Sequence, residues 1–281
     1  MYEHFYGLRE KPFAVSPDPA YLYLGRHYRH VLTLLHYAIA EAAGFALVTG
    51  EVGCGKTTVV RHFLGLPGRG LRMGYLGDIH PGPGALLPWV LDALGMDAGG
   101  TAVELHRRFV NLARKEYQDG NRILLVVDEA QNLSAAQLEE LRLLSNLNSG
   151  REMLVQAILV GQPELRATVR GPGLMQFAQR ILADYHVGPL MPTETQAYVR
   201  HRLQVAGGSE DLFTTEAIAR VHDMAGGVPR VINILCDTAL VYGFADQRRH
   251  VDVALIHQVL RDRTGGVLPL AGIAAAALTA G

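Results

Sequence analysis

Directly after an apolar run, Phe45 to Thr49, stands the segment Gly50-Glu51-Val52-Gly53-Cys54-Gly55-Lys56-Thr57. It matches the pattern G-x-x-x-x-G-K-[ST] between a strand and a helix, the setting in which that pattern is specific. Glycines at 50, 53 and 55 let backbone N–H groups approach an anion that side chains would hold off, and the following helix presents its positive end to the same anion. The implied ligand is a chain of phosphates. Lys56 is expected to neutralise β- and γ-phosphate charge, and the Thr57 hydroxyl to hold Mg²⁺. Glu51, Val52, Cys54 and Thr58 lie along the same bend and complete the nucleotide-binding set, so ATP and Mg²⁺ are the expected ligands.

The surroundings of this loop predict an α/β fold. Helical spacing over His27 to Ala43 precedes the strand Phe45 to Thr49. Further strands are expected at Arg72 to Leu76, Ile123 to Val127 and Val155 to Val160, with helices at Leu86 to Leu94, Val103 to Tyr117 and Ser134 to Leu147. Strands alternating with helices imply a parallel sheet covered on both faces. With 281 residues and 49% hydrophobic content, the chain can build one such domain and a smaller satellite.

From Pro192 the strand signals stop. Helices are expected near Glu194 to Ala206, Thr215 to Ala225, Pro229 to Tyr242 and Val253 to Arg261. Gly188, Pro189 and Pro192 mark the change, since Pro removes a donor and turns its predecessor away from helix. The expected organisation is an N-terminal arm over 1–25, a nucleotide-binding α/β domain over 26–190, a helical domain over 191–264 and an apolar tail over 265–281. The arm is rich in aromatics, including Tyr2, Phe5, Tyr6 and Phe13, and suits an irregular brace.

A second half of the site is expected at Ile123-Leu124-Leu125-Val126-Val127-Asp128-Glu129, a buried strand ending in two carboxylates. Two acids at a strand end read by themselves as a solvated turn. Paired with the phosphate loop they read as a Mg²⁺-side acid, Asp128, and a group that orients or deprotonates the attacking water, Glu129. Ser134 and Gln137 form a capping box that starts the next helix. Gln162, just past the run Ala157 to Val160, is placed to contact the γ-phosphate or water.

Arg166, Arg170 and Arg180 follow, and one of them supplied to a neighbouring subunit would stabilise transition-state charge. Spacing does not choose between them. Arg230 follows Gly226-Gly227-Val228-Pro229, near a helix start where a cation opposes the dipole, so a phosphate partner explains it.

Other classes are disfavoured. Lys and Arg number 26 against 27 Asp and Glu, so a net charge of -1 gives no global pull toward nucleic acid or anionic lipid. Cys54 and Cys236 are far apart, without a disulfide or zinc spacing, and the default compartment is a reducing cytoplasm. Cys54 reads as an inert buried thiol more readily than as a redox switch. The amino terminus lacks the unbroken apolar core of a signal peptide. The tail Gly265 to Gly281 carries no charge and reads either as the opening of a membrane segment or as a small-residue tail.

Several motifs together resemble a known family. They are Phe5-Tyr6-Gly7-Leu8 with Lys11-Pro12-Phe13 and Pro17-Asp18-Pro19, Gly44-Phe45 before Thr49-Gly50-Glu51-Val52-Gly53, Asp128-Glu129-Ala130-Gln131-Asn132-Leu133, and Val160-Gly161-Gln162-Pro163-Glu164-Leu165. In these the chain is similar to AAA+ ATPases of the ExeA or general-secretion-pathway-A type from Met1 to about Arg263.

The resemblance implies an AAA+ fold with a helical lid, Mg²⁺-dependent ATP hydrolysis and assembly into a homo-oligomeric ring or filament. It further implies Gln162 near the sensor-1 position, Arg180 as the trans arginine and Arg230 as sensor 2. It points to a motor serving an envelope secretion or pilus-like machine, at the inner face of the inner membrane, with membrane association through the tail. Related transposition regulators make DNA the alternative partner, and a nucleotide-switched scaffold with little turnover is a third reading.

Overall fold

The computed structural model describes residues 1–15, 18–66, 70–77, 84–149 and 152–262. The expected tail, Gly265 to Gly281, lies outside them. Among the described residues no helix is long and apolar enough to cross a membrane.

In chain order, α1 (Glu3–Tyr6) and a 3-10 turn at Pro19–Tyr21 precede α2 (Arg26–Ala40), β1 (Phe45–Gly50), α3 (Lys56–Gly65) and β2 (Leu71–Leu76). Then come α4 (Leu87–Ala93), α5 (Ala102–Gln118), β3 (Arg122–Val127), a 3-10 turn at Ala130–Asn132 and α6 (Ala135–Leu144). A small antiparallel pair, β4 (Asn148–Ser149) and β5 (Glu152–Met153), leads to β6 (Val155–Gly161), α7 (Glu164–Val169), α8 (Met175–Ala178) and β7 (Ile181–Val187). Four helices close the described chain: α9 (Pro192–Val205), α10 (Thr215–Ala225), α11 (Pro229–Ala245) and α12 (Val253–Asp262).

The chain forms two compact units. One holds Arg29–Val52 and Val59–Val187, and contains a five-stranded sheet in the order β2, β3, β6, β1, β7. All its pairings are parallel. Successive strand side chains point to opposite faces. Phe45, Leu47, Leu125, Val127, Ala157 and Leu159 therefore share one core with Leu91, Phe109, Leu138 and Phe177 from the covering helices. The intervening positions turn to the other face, where Gln156 Nε2 on β6 donates to the Ala38 and Ala43 carbonyls at the end of α2, at 3.2 and 3.0 Å.

Helix starts here are set by side chains. Thr101 and Glu104 form a capping box on α5, and the expected box of Ser134 and Gln137 starts α6. Two spans come out shorter than expected: α2 stops at Ala40, before Ala42 at φ 51°, and α6 stops at Leu144.

The short pair β4 and β5 and, within the five-stranded sheet, β7 have no counterpart among the strands expected. Asp184 and His186 break the apolar run of β7, and as a sheet edge it buries only Ala183 and Val187 fully.

The other unit holds Met1–Tyr28, Gly53–Thr58 and the chain from Gly188. Its core joins Val199, Leu203, Val221, Ile232, Leu235 and Ile256 of α9 to α12 with Tyr2, Leu8, Phe13 and Tyr21 of the amino-terminal arm. Arg202 on α9 is buried, and among the described residues no carboxylate pairs with its guanidinium. It donates to the Pro12 and Ala14 carbonyls and to the Tyr198 hydroxyl, beneath the Tyr21 ring at 4.7 Å. Carbonyl acceptors and an aromatic face are what a desolvated guanidinium needs.

Candidate functional site

The site residues expected from the sequence fall into two groups, one in each unit. In the phosphate loop, Gly53 and Gly55 both adopt φ 85°, a left-handed backbone that favours glycine. The Gly53 carbonyl accepts from the Arg230 N–H at 3.2 Å, and the Cys54 carbonyl accepts from the Tyr28 hydroxyl at 2.9 Å.

In a trans peptide the carbonyl and the next N–H point in opposite directions. Fixing these two carbonyls therefore fixes the N–H directions of Cys54 and Gly55. A Cβ at Gly55 would lie 1.9 Å from the Tyr28 oxygen, so the loop and the tyrosine occupy one tight space. Tyr28 is buried, which pushes its phenol well above the usual range and keeps it a donor.

Helix α3 begins at Lys56, and its first turn holds no acid. Lys56 and Cys54 are buried, Thr57 and Thr58 are half-buried, and Glu51 and Val52 are exposed. Arg230 lies in the first turn of α11 with an exposed side chain.

In the sheet unit, Asp128 and Glu129 follow β3 directly. Asp128 is buried; its Oδ1 accepts from the Glu129 N–H at 2.9 Å and its Oδ2 from the Tyr75 hydroxyl at 2.8 Å. Burial, with the Asp128 charge and hydrogen bond, pushes the Tyr75 phenol up to about 12, and Arg61 lies 5.6 Å from the centre of its ring.

Glu129 has φ 50° and ψ 38°, a left-handed conformation uncommon for a residue with a Cβ. Its carboxylate is exposed, and Oε2 accepts from Gln131 Nε2 at 2.6 Å. Gln131 Oε1 accepts from the backbone N–H of Gln162 at 2.9 Å, so the ends of β3 and β6 meet through one amide.

The three arginines separate. Arg166 pairs with Asp184 at 2.6 Å, and Arg170 is exposed at the end of α7. Arg180 donates to Ser145 Oγ at 3.0 Å, to the Arg142 carbonyl at 3.3 Å and to Asn146 Oδ1, with the Phe45 ring 5.9 Å away. Burial first, then the neighbouring Arg142 charge, holds its guanidinium below the usual range.

Sequence reasoning assigned no role to Tyr28, Tyr75 or Gln131. A lone tyrosine in a helix or strand carries no spacing signal. Gln131 offered one: it is polar, two residues past the acid pair and ahead of a capping box.

A family model described as an AAA domain matches residues 39–169. General secretion pathway protein A of Aeromonas hydrophila is 42% identical over 252 residues, covering 87% of this chain. The chain spans 45% of that relative's own length.

The Aeropyrum pernix ORC2 protein, solved as ADPNP-ADP complexes, superposes with a TM-score of 0.69 at 16% identity, covering 92% of this chain and 72% of its own. Drosophila ORC bound to DNA gives 0.63 at 20% identity, covering 89% and 63%. At such identities the two structures speak for the fold alone.

Proposed function

The chain is an AAA+ domain of the general-secretion-pathway-A type, and on that premise we propose that it hydrolyses ATP as a homo-oligomeric motor serving assembly of an envelope machine. The observation that carries the ATP reading is the phosphate loop with its Gly53 and Cys54 carbonyls held. That hold directs backbone N–H groups without help from the ligand, as an anion cradle requires.

In this reading Gly50 to Thr58 wrap the phosphates, Lys56 neutralises charge on the transferred group, and Arg230 offers a further cation. Glu129 takes the proton of the attacking water and Gln162 orients it.

The residues present fit Mg²⁺. A buried carboxylate whose oxygens are oriented by the Glu129 N–H and the Tyr75 hydroxyl, together with a threonine hydroxyl, is the hard-oxygen donor set this ion prefers. Asp128 and Thr57 would hold it, and when bound it neutralises charge developing on the phosphates. Arg180 is the proposed trans arginine, and to reach a neighbour's nucleotide it must release Ser145 and Asn146.

Phosphate release with and without EDTA tests this. Glu129→Gln is expected to keep binding a fluorescent ATP analogue while turnover falls about 10²- to 10⁴-fold, the range of general-base catalysis. Lys56→Ala is expected to weaken both. A Glu129→Gln variant turning over at the wild-type rate ends the assignment.

A secretion role is supported by the general secretion pathway relative, and the placement proposed for it is the inner face of the inner membrane. Recovery of the native full-length protein in the soluble pool alone argues against it. DNA association is the alternative reading. It requires duplex binding that weakens steeply with salt.

A further inference from the structure

We infer that Gln131 is a positioning residue for hydrolysis, holding the Glu129 carboxylate in register with the end of β6. The inference rests on the proposed ATPase reading and extends it to a residue outside the motif roles assigned above.

Three observations meet at this side chain. Gln131 Nε2 donates to Glu129 Oε2 at 2.6 Å, and Gln131 Oε1 accepts from the Gln162 N–H at 2.9 Å. Gly161 gives it room: a Cβ there would stand 2.8 Å from Gln131 Oε1 and 3.3 Å from its backbone nitrogen.

The chemistry makes the arrangement one-directional. A backbone N–H only donates, so the amide oxygen must face Gln162 and the amide NH₂ must face the carboxylate. An amide two residues beyond Glu129 supplies both halves. Glutamate has no donor, and methionine has neither donor nor strong acceptor.

The bond is charge-assisted and short, and it engages one carboxylate oxygen. Among the described residues, Glu129 Oε1 carries no hydrogen bond, which leaves it for water. Glu129 needs this support because its backbone is left-handed and its side chain exposed, so the rotamer would otherwise be free. Gln162, whose N–H ends the relay, begins the segment after β6. A displacement of Gln162 thus reaches the base through a single side chain.

The test compares Gln131→Glu and Gln131→Met with wild type, by single-turnover hydrolysis of radiolabelled ATP and by titration with a fluorescent ATP analogue. Gln131→Glu keeps an acceptor for Gln162 and replaces the donor to Glu129 with a like charge, so the local backbone keeps its tie even if Gln131→Met is poorly folded, while Gln131→Met removes the donor without adding charge. Both variants are expected to bind the analogue within about twofold of wild type. Both are expected to lose about tenfold to a hundredfold in the hydrolysis rate, the cost of a misplaced reacting group.

In a Glu129→Gln background the same substitutions are expected to change the residual rate less than threefold, since the carboxylate they position is gone. Gln131→Glu hydrolysing at the wild-type rate, or losing equally in both backgrounds, overturns the inference. Wild-type protein that binds but never hydrolyses ATP would instead overturn the underlying ATPase reading.

Discussion

Tyr28 and His201 show how far a single side chain carries in this chain. The Tyr28 hydroxyl is the only atom of its ring that a change to phenylalanine removes, and it donates to the Cys54 carbonyl of the phosphate loop. Losing one such bond inside a buried site costs about 1 kcal/mol and leaves the carbonyl short of a partner. Tyr28→Phe is therefore expected to weaken ATP-analogue binding about fivefold, with the loop less ordered before ligand arrives. Calorimetric titration checks it, and unchanged affinity removes Tyr28 from the site. His201 on α9 gives a pH prediction. Burial holds its imidazole below the ordinary value of 6.5, helped by the Arg202 charge and opposed by a backbone hydrogen bond with Leu22. The folded state then binds fewer protons than the unfolded chain between the lowered value and 6.5. The His201 contribution is fully present above about 6.5 and is lost as pH falls through that window. Urea midpoints measured from pH 7.5 to 5 should fall less steeply in His201→Gln than in wild type. At this scale the bend at Gly53 and Gly55 and the place of the acid pair at a strand end could be read from the sequence because motif spacing encodes them. The contacts of Tyr28 and His201 could not, because each depends on a neighbour whose place only folding decides, and those of Gln131 were signalled only by its place beside the acid pair.

Elements in the sheet unit are fixed less by their own composition than by side chains reaching in from elsewhere. Helix α4 has no capping side chain of its own at Leu86. Its first N–H groups, of Leu86 and Leu87, donate instead to the Glu140 carboxylate of α6 at 2.7 and 3.0 Å. An anion at a helix start also meets the positive end of the dipole. Glu140→Ala is expected to cost about 1–3 kcal/mol, as loss of a charged cap does. Its neighbour Glu139 pairs with Arg142 one turn away on the same helix, and Glu139→Ala should stay within about 0.5 kcal/mol. The chain's one tryptophan, Trp89, sits in α4 and is 45% exposed, so its emission reports this helix directly. A larger loss of urea midpoint for Glu140→Ala than for Glu139→Ala, with a red-shifted Trp89 spectrum, is the expected outcome. Equal losses would mean that the cap carries no weight. The Ser134 and Gln137 box on α6 was legible because both halves lie within one turn. The Glu140 cap was not, since it joins residues far apart in the chain, and β7 was not, since its edge position tolerates Asp184 and His186 where a buried strand would not.

At the scale of the molecule, the unit that holds α9 to α12 is discontinuous in sequence, and its core is incomplete without the amino-terminal arm. Tyr2 and Phe13 are almost fully buried among residues of the last four helices, and Phe13 meets Phe213 edge to face at 5.7 Å. The arm is also tied by polar contacts: Tyr2 donates to Asp237, Arg202 holds the Pro12 and Ala14 carbonyls, and Arg249 holds the Phe5 carbonyl. The aromatic composition of the first residues made a packed arm legible, but no local pattern records that Phe13 meets Phe213. Truncating a buried phenylalanine costs about 3–5 kcal/mol, a large share of the 5–15 kcal/mol that hold a domain folded. Phe13→Ala is thus expected to lower the unfolding midpoint of this unit, followed by near-ultraviolet circular dichroism. A fragment covering 188–262 alone lacks the arm's share of the core and leaves the Arg202 guanidinium without its two carbonyl acceptors. It is expected to retain helix by far-ultraviolet circular dichroism while binding ANS and unfolding in urea without a sharp transition. Adding a peptide of residues 1–25 should restore part of the cooperativity, because the missing contacts are noncovalent and their loss is chiefly one of effective concentration. A fragment that unfolds as sharply as the whole chain, with no ANS binding, would mean that the four helices are self-sufficient and the arm merely rests on them.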